Sequence, residues 1–221
     1  MIRLQIYFSL FLLLILVSIQ TVKAQTQTGI YVGTNILSLT TEEINSERAL
    51  GFDLGFQFIT GIHRTGDLLT EMGYSSNSIN LEGNLNNNSE YFKFHVQNFN
   101  VNFLYSRYLK LPESNKPHIG LQAGISFSIL NQWSLKDEEE ANYSFGETDY
   151  SFFDIQELRP INTHIVGGIE IGFEQYRLNL RCYKTITNPL RQGGDIEDDI
   201  GGDSLPYTIA LSFTYFWDKF Y

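Results

Sequence analysis

A single cysteine, Cys182, and only five prolines in 221 residues leave the chain few covalent or rigid devices for holding a fold together. One cysteine cannot form an internal disulfide, and an exported protein usually hides it, in lipid or in a packed surface. No reactive thiol is therefore expected. Positive charge is also scarce, with 15 Lys and Arg against 25 Asp and Glu, a formal net charge of −10. That balance argues against nucleic acid or an anionic membrane surface as a partner. Beyond residue 24 no apolar stretch approaches 18 residues, so no membrane-spanning helix is expected.

The one long apolar run lies at the start, from Phe8 to Val17, behind the positive Arg3 and ahead of Val22-Lys23-Ala24. The order of a positive region, an apolar region and a small-residue site is that of a secretory signal peptide over residues 1–24, with the mature chain beginning at Gln25. An uncleaved anchor is the competing reading, but the run is nearer the length of a signal core than the roughly 20 residues a spanning helix needs. No cysteine follows the cleavage point, so no lipid anchor is implied. The remaining 197 residues suit one large β domain over 25–221, and cleavage removes two basic residues, leaving 13 against 25 acidic ones.

What the mature chain has in abundance is alternation. Leu50, Phe52, Leu54, Phe56 and Phe58 share one parity, with Gly51, Asp53, Gly55 and Gln57 on the other. The stretches 118–129 and 205–217 repeat the pattern, which is the period of a strand with one apolar face. Weaker versions near 28–39, 68–81, 92–108, 161–173 and 176–186 bring the count to eight. The apolar parity changes near Gln97-Asn98, which suggests a β-bulge. The fold expected is all-β, an eight-stranded antiparallel up-and-down transmembrane β-barrel.

Connections near 40–48, 82–91, 130–160 and 187–204 are expected on the extracellular side, with shorter ones near 60–67, 109–117 and 174–175 facing the periplasm. Alternation alone also fits a soluble barrel, but three details favour a membrane. The polar parity is rich in glycine and small residues. Tyr31, Tyr74, Tyr105, Tyr108, Tyr207, Tyr215 and Trp217 fall near strand ends, where interfacial girdles belong. The chain ends in aromatics, Phe216-Trp217 and Phe220-Tyr221, on a final amphipathic strand, like the signal read by the outer-membrane barrel assembly machinery. Localisation in the bacterial outer membrane, with its lipid and that machinery as partners, follows as the expectation.

Four stretches carry a family likeness: Phe99–Tyr108, Pro117–Phe127, Val166–Gly172 and Leu178–Tyr183. Their layout resembles the PorT-like outer-membrane β-barrel family, close in size to the small OmpA/OmpX-type barrels. The resemblance covers essentially the whole mature chain through pattern rather than diagnostic residues. It implies a non-enzymatic protein with a structural, assembly-linked or secretion-linked role.

The inward parity carries Asp53, Glu71, Glu170, Arg177 and Arg181, expected to pair with one another inside a narrow lumen, since an unpaired buried charge costs several kcal/mol. A polar path for a small solute is the functional alternative. The third loop holds Asp137-Glu-Glu-Glu140 and a density of aromatics: Trp133, Tyr143, Phe145, Tyr150, Phe152 and Phe153. They form either a binding surface for a partner or strand extensions above the membrane. A rim hydrolase is the rival from another class. It would use His164, inward beside the acidic loop, or His95 with Ser89 and Glu90, but no spacing enforces either set. No metal or cofactor is expected: residues 137–140 lack the alternating ligands of a calcium loop, and Asp195–Asp199 could hold calcium only loosely.

Overall fold

The computed structural model describes residues 26–38, 46–63, 65–85, 88–111, 116–135, 144–145, 150–151, 161–187 and 206–217. The expected signal peptide, most of the third and fourth loops and the last four residues lie outside them. Among the described residues, no helix is long and apolar enough to cross a membrane.

The strands are β1 (Thr26–Ser38), β2 (Ser46–Arg48), β3 (Leu50–His63), β4 (Gly66–Leu85), β5 (Asn88–Lys110), β6 (His118–Leu135), β7 (Ser144–Phe145), β8 (Tyr150–Ser151), β9 (Ile161–Phe173), β10 (Tyr176–Thr185) and β11 (Tyr207–Phe216). β1 pairs antiparallel with β3 on one side and with β11 on the other, and β3, β4, β5, β6, β9, β10 and β11 follow as successive neighbours. The sheet therefore closes on itself as eight long antiparallel strands in up-and-down order. In the closed ring each of the eight long strands has a partner on both sides, so none of them is an edge strand.

Side-chain direction settles which face meets what. Val32, Leu54, Phe56, Ile125, Ile169, Leu180 and Leu211 point outward and are exposed, whereas Gln57, Glu71, Asn102, Ser106, Gln122, Glu170 and Arg177 are buried inside. A soluble barrel would reverse this arrangement. An apolar exterior around a polar interior is the pattern of a transmembrane β-barrel, because apolar area left in water forfeits about 25 cal/mol per Å². Cys182 lies on the outward parity of β10 and is exposed there, the lipid-facing option for the lone thiol. Outward aromatics cluster at the short-turn end, where Tyr176 stands beside Phe213 and Tyr215 with ring centroids 5.7 and 5.5 Å apart. Tyr31 and Tyr108, expected in the girdles, point inward instead; their parity, not their position along the strand, decides.

Strand lengths correct the expected loops. A tilted strand needs about 9–11 residues to cross a bilayer. β1, β9, β10 and β11, of 13, 13, 10 and 10 residues, are near that length. β4, β5 and β6 run to 20, 23 and 18 and overshoot it. The expected loop at 82–91 is therefore strand on both sides, with β4 and β5 pairing up to Leu85 opposite Asn88. Past Asn77 and Val96 the polarity inverts: Ile79, Leu81, Phe92 and Phe94 are buried on the inner face, while Asn80, Glu82, Lys93 and Gln97 occupy the outer one. This ribbon has the pattern of a sheet in water, so the inversion marks where β4 and β5 leave the apolar band.

The parity change read at Gln97-Asn98 has the same cause. From Phe92 to Tyr108 β5 keeps its even-numbered residues on the inner face, so what changes is the surroundings of the strand and not its phase. A register shift is also present, on the β5–β6 side: Phe99 pairs Ile129 while Gln97 pairs Gln132, which sets Leu130 and Asn131 against Asn98. Part of the third loop is strand as well. Trp133 lies in β6 opposite Val96, and Phe145 and Tyr150 pair in the small β7–β8 hairpin, which adds to β4 through Gly83.

Candidate functional site: a bridged lumen and an acceptor-lined outer cavity

β10 turns Arg177, Asn179 and Arg181 inward at two-residue spacing, a consequence of strand periodicity alone. Across from β10 in the ring stands β4, carrying Asp67 and Glu71 inward. Arg181 Nη1 reaches Glu71 Oε2 at 2.6 Å, and Arg177 Nη2 reaches Asp67 Oδ2 at 3.5 Å. These pairs join opposite walls and so obstruct the lumen from side to side. Arg177 also donates through Nη1 to both oxygens of Glu170 on β9, at 3.2 and 3.1 Å, and through Nη2 to the Tyr108 hydroxyl at 3.2 Å.

Amides complete the lattice. Gln122 donates to Glu170 at 2.6 Å and accepts from Arg181 Nε at 2.6 Å, linking the two arginine clusters. Gln57 and Asn102 donate to the two oxygens of Glu71 at 2.5 and 2.9 Å. Tyr108 donates to Asp67, and His118 Nε2 stands 3.8 Å from Glu170. Arg177 and Arg181 are 1% and 4% exposed, so their charges depend on these partners and not on water. Gly168 makes room for the longer reach: a Cβ there would stand 2.8 Å from Cγ of Arg181, so the second glycine of the 167–168 pair serves the packing of that arginine.

Of the five charges expected to pair, Glu71 joins Arg181 and Glu170 joins Arg177, but Asp53 stands apart. It lies on β3 opposite Ser75, where the nearby guanidinium of Arg181 is already held by Glu71 and Gln122. Asp67, Tyr108, Gln122 and His118 were missed as members. Asp67 reads as turn, Tyr108 as girdle and His118 as a strand end; the signal available was their parity with Glu71, Asn102 and Gly120.

Above the lattice, toward the long-loop end, lies a cavity of about 100 Å³ whose lining includes Asn35, Asp53, Asn77, Asn98, Asn102, Ser128, His164 and Thr185. Ser128 Oγ and His164 Nε2 are 2.8 Å apart, and His164 Nδ1 is 2.9 Å from Thr185 Oγ1. Both ring nitrogens thus face hydroxyls, and Ser128 donates its proton to Asn100 Oδ1 at 2.7 Å. Among the described residues the ring nitrogens of His164 meet hydroxyls and not a carboxylate that would orient it as a base, and the serine proton already has an acceptor. His95 contacts Ser78 at 3.2 Å and lies six positions along β5 from Ser89, roughly 20 Å of extended chain, so the His95–Ser89–Glu90 set is not assembled. Among the described residues no three His, Cys, Asp or Glu side chains group as a metal site. Tyr143, Phe152, Phe153 and Asp195–Asp199 fall outside the described residues, while Trp133, Phe145 and Tyr150 are placed there by backbone alone.

A closed eight-stranded ring, an apolar outer band and an ion-paired interior define the class: a transmembrane β-barrel whose lumen is filled by its own side chains. No family model matches the chain, and no curated protein matches it in sequence. Among solved structures it is similar to Ail, the attachment invasion locus protein of Yersinia pestis, at 8% identity over 87% of this chain and 99% of that one, with a TM-score of 0.43. It is also similar to the outer membrane protein OprG of Pseudomonas aeruginosa, at 7% identity over 87% and 94%, TM-score 0.46. LpxR of Salmonella typhimurium aligns at 9% identity over 87% and 84%, TM-score 0.31.

Proposed function

We propose that this chain is a non-enzymatic outer-membrane barrel that anchors and displays structure at the cell surface, with a structural or secretion- and assembly-linked role of the kind its PorT-like pattern implies. The observation that carries the reading is the pairing of opposite walls, Arg181 to Glu71 and Arg177 to Asp67, which occupies the path a solute would take. The polarity inversion of the β4–β5 ribbon supports display, since that sheet is built for water at the end bearing the long loops. The loops at 130–160 and 187–204 then provide the surface for a protein partner.

Three measurements test the proposal. Reconstituted in planar bilayers, the protein is expected to show no steady single-channel conductance; stable ohmic steps would favour the narrow-channel reading instead. Deleting residues 137–153 is expected to abolish capture of a surface partner while the barrel still assembles, and undiminished capture would remove the loop from the account. The rim-enzyme reading predicts that His164→Ala destroys an activity without disturbing the fold, whereas a structural histidine in a hydroxyl chain predicts a modest stability loss only.

A further inference from the structure

The outer cavity has an unbalanced wall. Asn35, Asp53, Asn77, Asn98 and Asn102 each direct an Oδ1 atom that is buried and has no hydrogen-bond partner among the described residues, and all five residues line this one space. They occupy neighbouring rows of the sheet: Gly33, Asp53, Ser75 and Asn98 are successive cross-strand partners, and Asn35 faces Gly51 one row beyond. Gly51 matters here because the Oδ1 atoms of Asn35 and Asn77 close on the space its Cβ would take.

The amide orientations at two of these positions follow from chemistry. Asn102 donates its Nδ2 to Glu71 at 2.9 Å, and Asn35 gives a side-chain hydrogen bond to the Asp53 carboxylate. A carboxylate can only accept, so the NH2 of each amide is the group bonded to the acid and the carbonyl oxygen is left without a partner. Asn35 and Asn77 are 3% and 4% exposed, so their oxygens depend on a partner held inside the cavity. Charge points the same way: the lumen holds the half-buried carboxylate of Asp53 and the buried ones of Asp67, Glu71 and Glu170 against the two buried guanidiniums of Arg177 and Arg181.

We propose that the Asp53 carboxylate and the amide oxygens of Asn35, Asn77 and Asn98 form a binding site for a hard divalent cation of the calcium class in the outer lumen. One carboxylate with several amide carbonyls is an oxygen-only set suited to such an ion, and the cavity has room for waters that complete its shell. With a single formal charge among its ligands, the site belongs in the weak range seen for extracellular calcium modules, with Kd on the order of 10⁻⁴–10⁻³ M.

Terbium serves as the probe, because Tyr31 and Tyr183 line the same cavity and can sensitise its luminescence. The refolded full-length barrel in detergent is expected to show saturable tyrosine-excited emission that calcium displaces. Asp53→Asn and Asn77→Leu, each checked for heat-modifiable migration as a sign of folding, are expected to weaken binding at least tenfold. Asp198→Asn with Asp199→Asn in the fourth loop is expected to leave it unchanged. The proposal is overturned if folded Asp53→Asn binds terbium as the parent does, if only the loop variant loses binding, or if no saturable binding occurs and the cavity holds water alone. Displacement by sodium as effective as by calcium would overturn the divalent assignment.

Discussion

Arg181 shows what a single residue does in this interior. Its guanidinium joins Glu71 across the lumen and Gln122 beside it, and removing it leaves a buried carboxylate with amide donors only. Arg181→Met is therefore expected to destabilise the barrel by about 3–5 kcal/mol, and adding Glu71→Gln to recover much of that loss, because an unmatched buried charge costs more than the absence of both. Urea unfolding of the refolded protein in micelles measures both, and additive losses in the double variant would contradict the pairing. That Glu71, Glu170, Arg177 and Arg181 face one another was legible from strand parity. Asp53 could not be excluded from the set, because parity states which face a residue occupies and not how far along the barrel its partner lies. Asp67 and Tyr108 were hidden by assigning them to a turn and a girdle when their phase placed them inside.

The elements carry a second kind of information, the position of the membrane. From Leu178 to Cys182 on β10 and from Ile209 to Phe213 on β11 the outward face is apolar and exposed, whereas the outer face of the β4–β5 ribbon carries Lys93, Asn80 and Glu82. Thiol accessibility separates the two environments. In intact membranes a charged, bilayer-impermeant maleimide is expected to leave Cys182 unmodified and to label Lys93→Cys in a Cys182→Ser background; labelling of Cys182 at the same rate would place its face in water. The overshoot of β4 and β5 was not legible beforehand. A strand that leaves lipid for water keeps its geometry while its apolar parity reverses, and in a sequence this looks like the end of one strand and a bulge in the next. Strand number, the order of connections and the short-turn end were readable because closure and bilayer thickness constrain them tightly.

For the whole molecule, the inward lattice and the outward apolar band depend on each other. The band requires lipid, and the lattice holds the buried charges of the wall in pairs. Removal of either half has a different signature: loss of the lattice weakens a barrel that still inserts, whereas a charge on the apolar band opposes insertion by about 2–4 kcal/mol at the bilayer midplane. The most direct test of the central claim is fractionation of cells expressing the full chain, followed by electrophoresis of the membrane fraction with and without boiling. A membrane barrel sealed by its own ring of strands predicts recovery in the outer-membrane fraction and faster migration unboiled than boiled; recovery in the soluble fraction, with identical migration of the two samples, would contradict it.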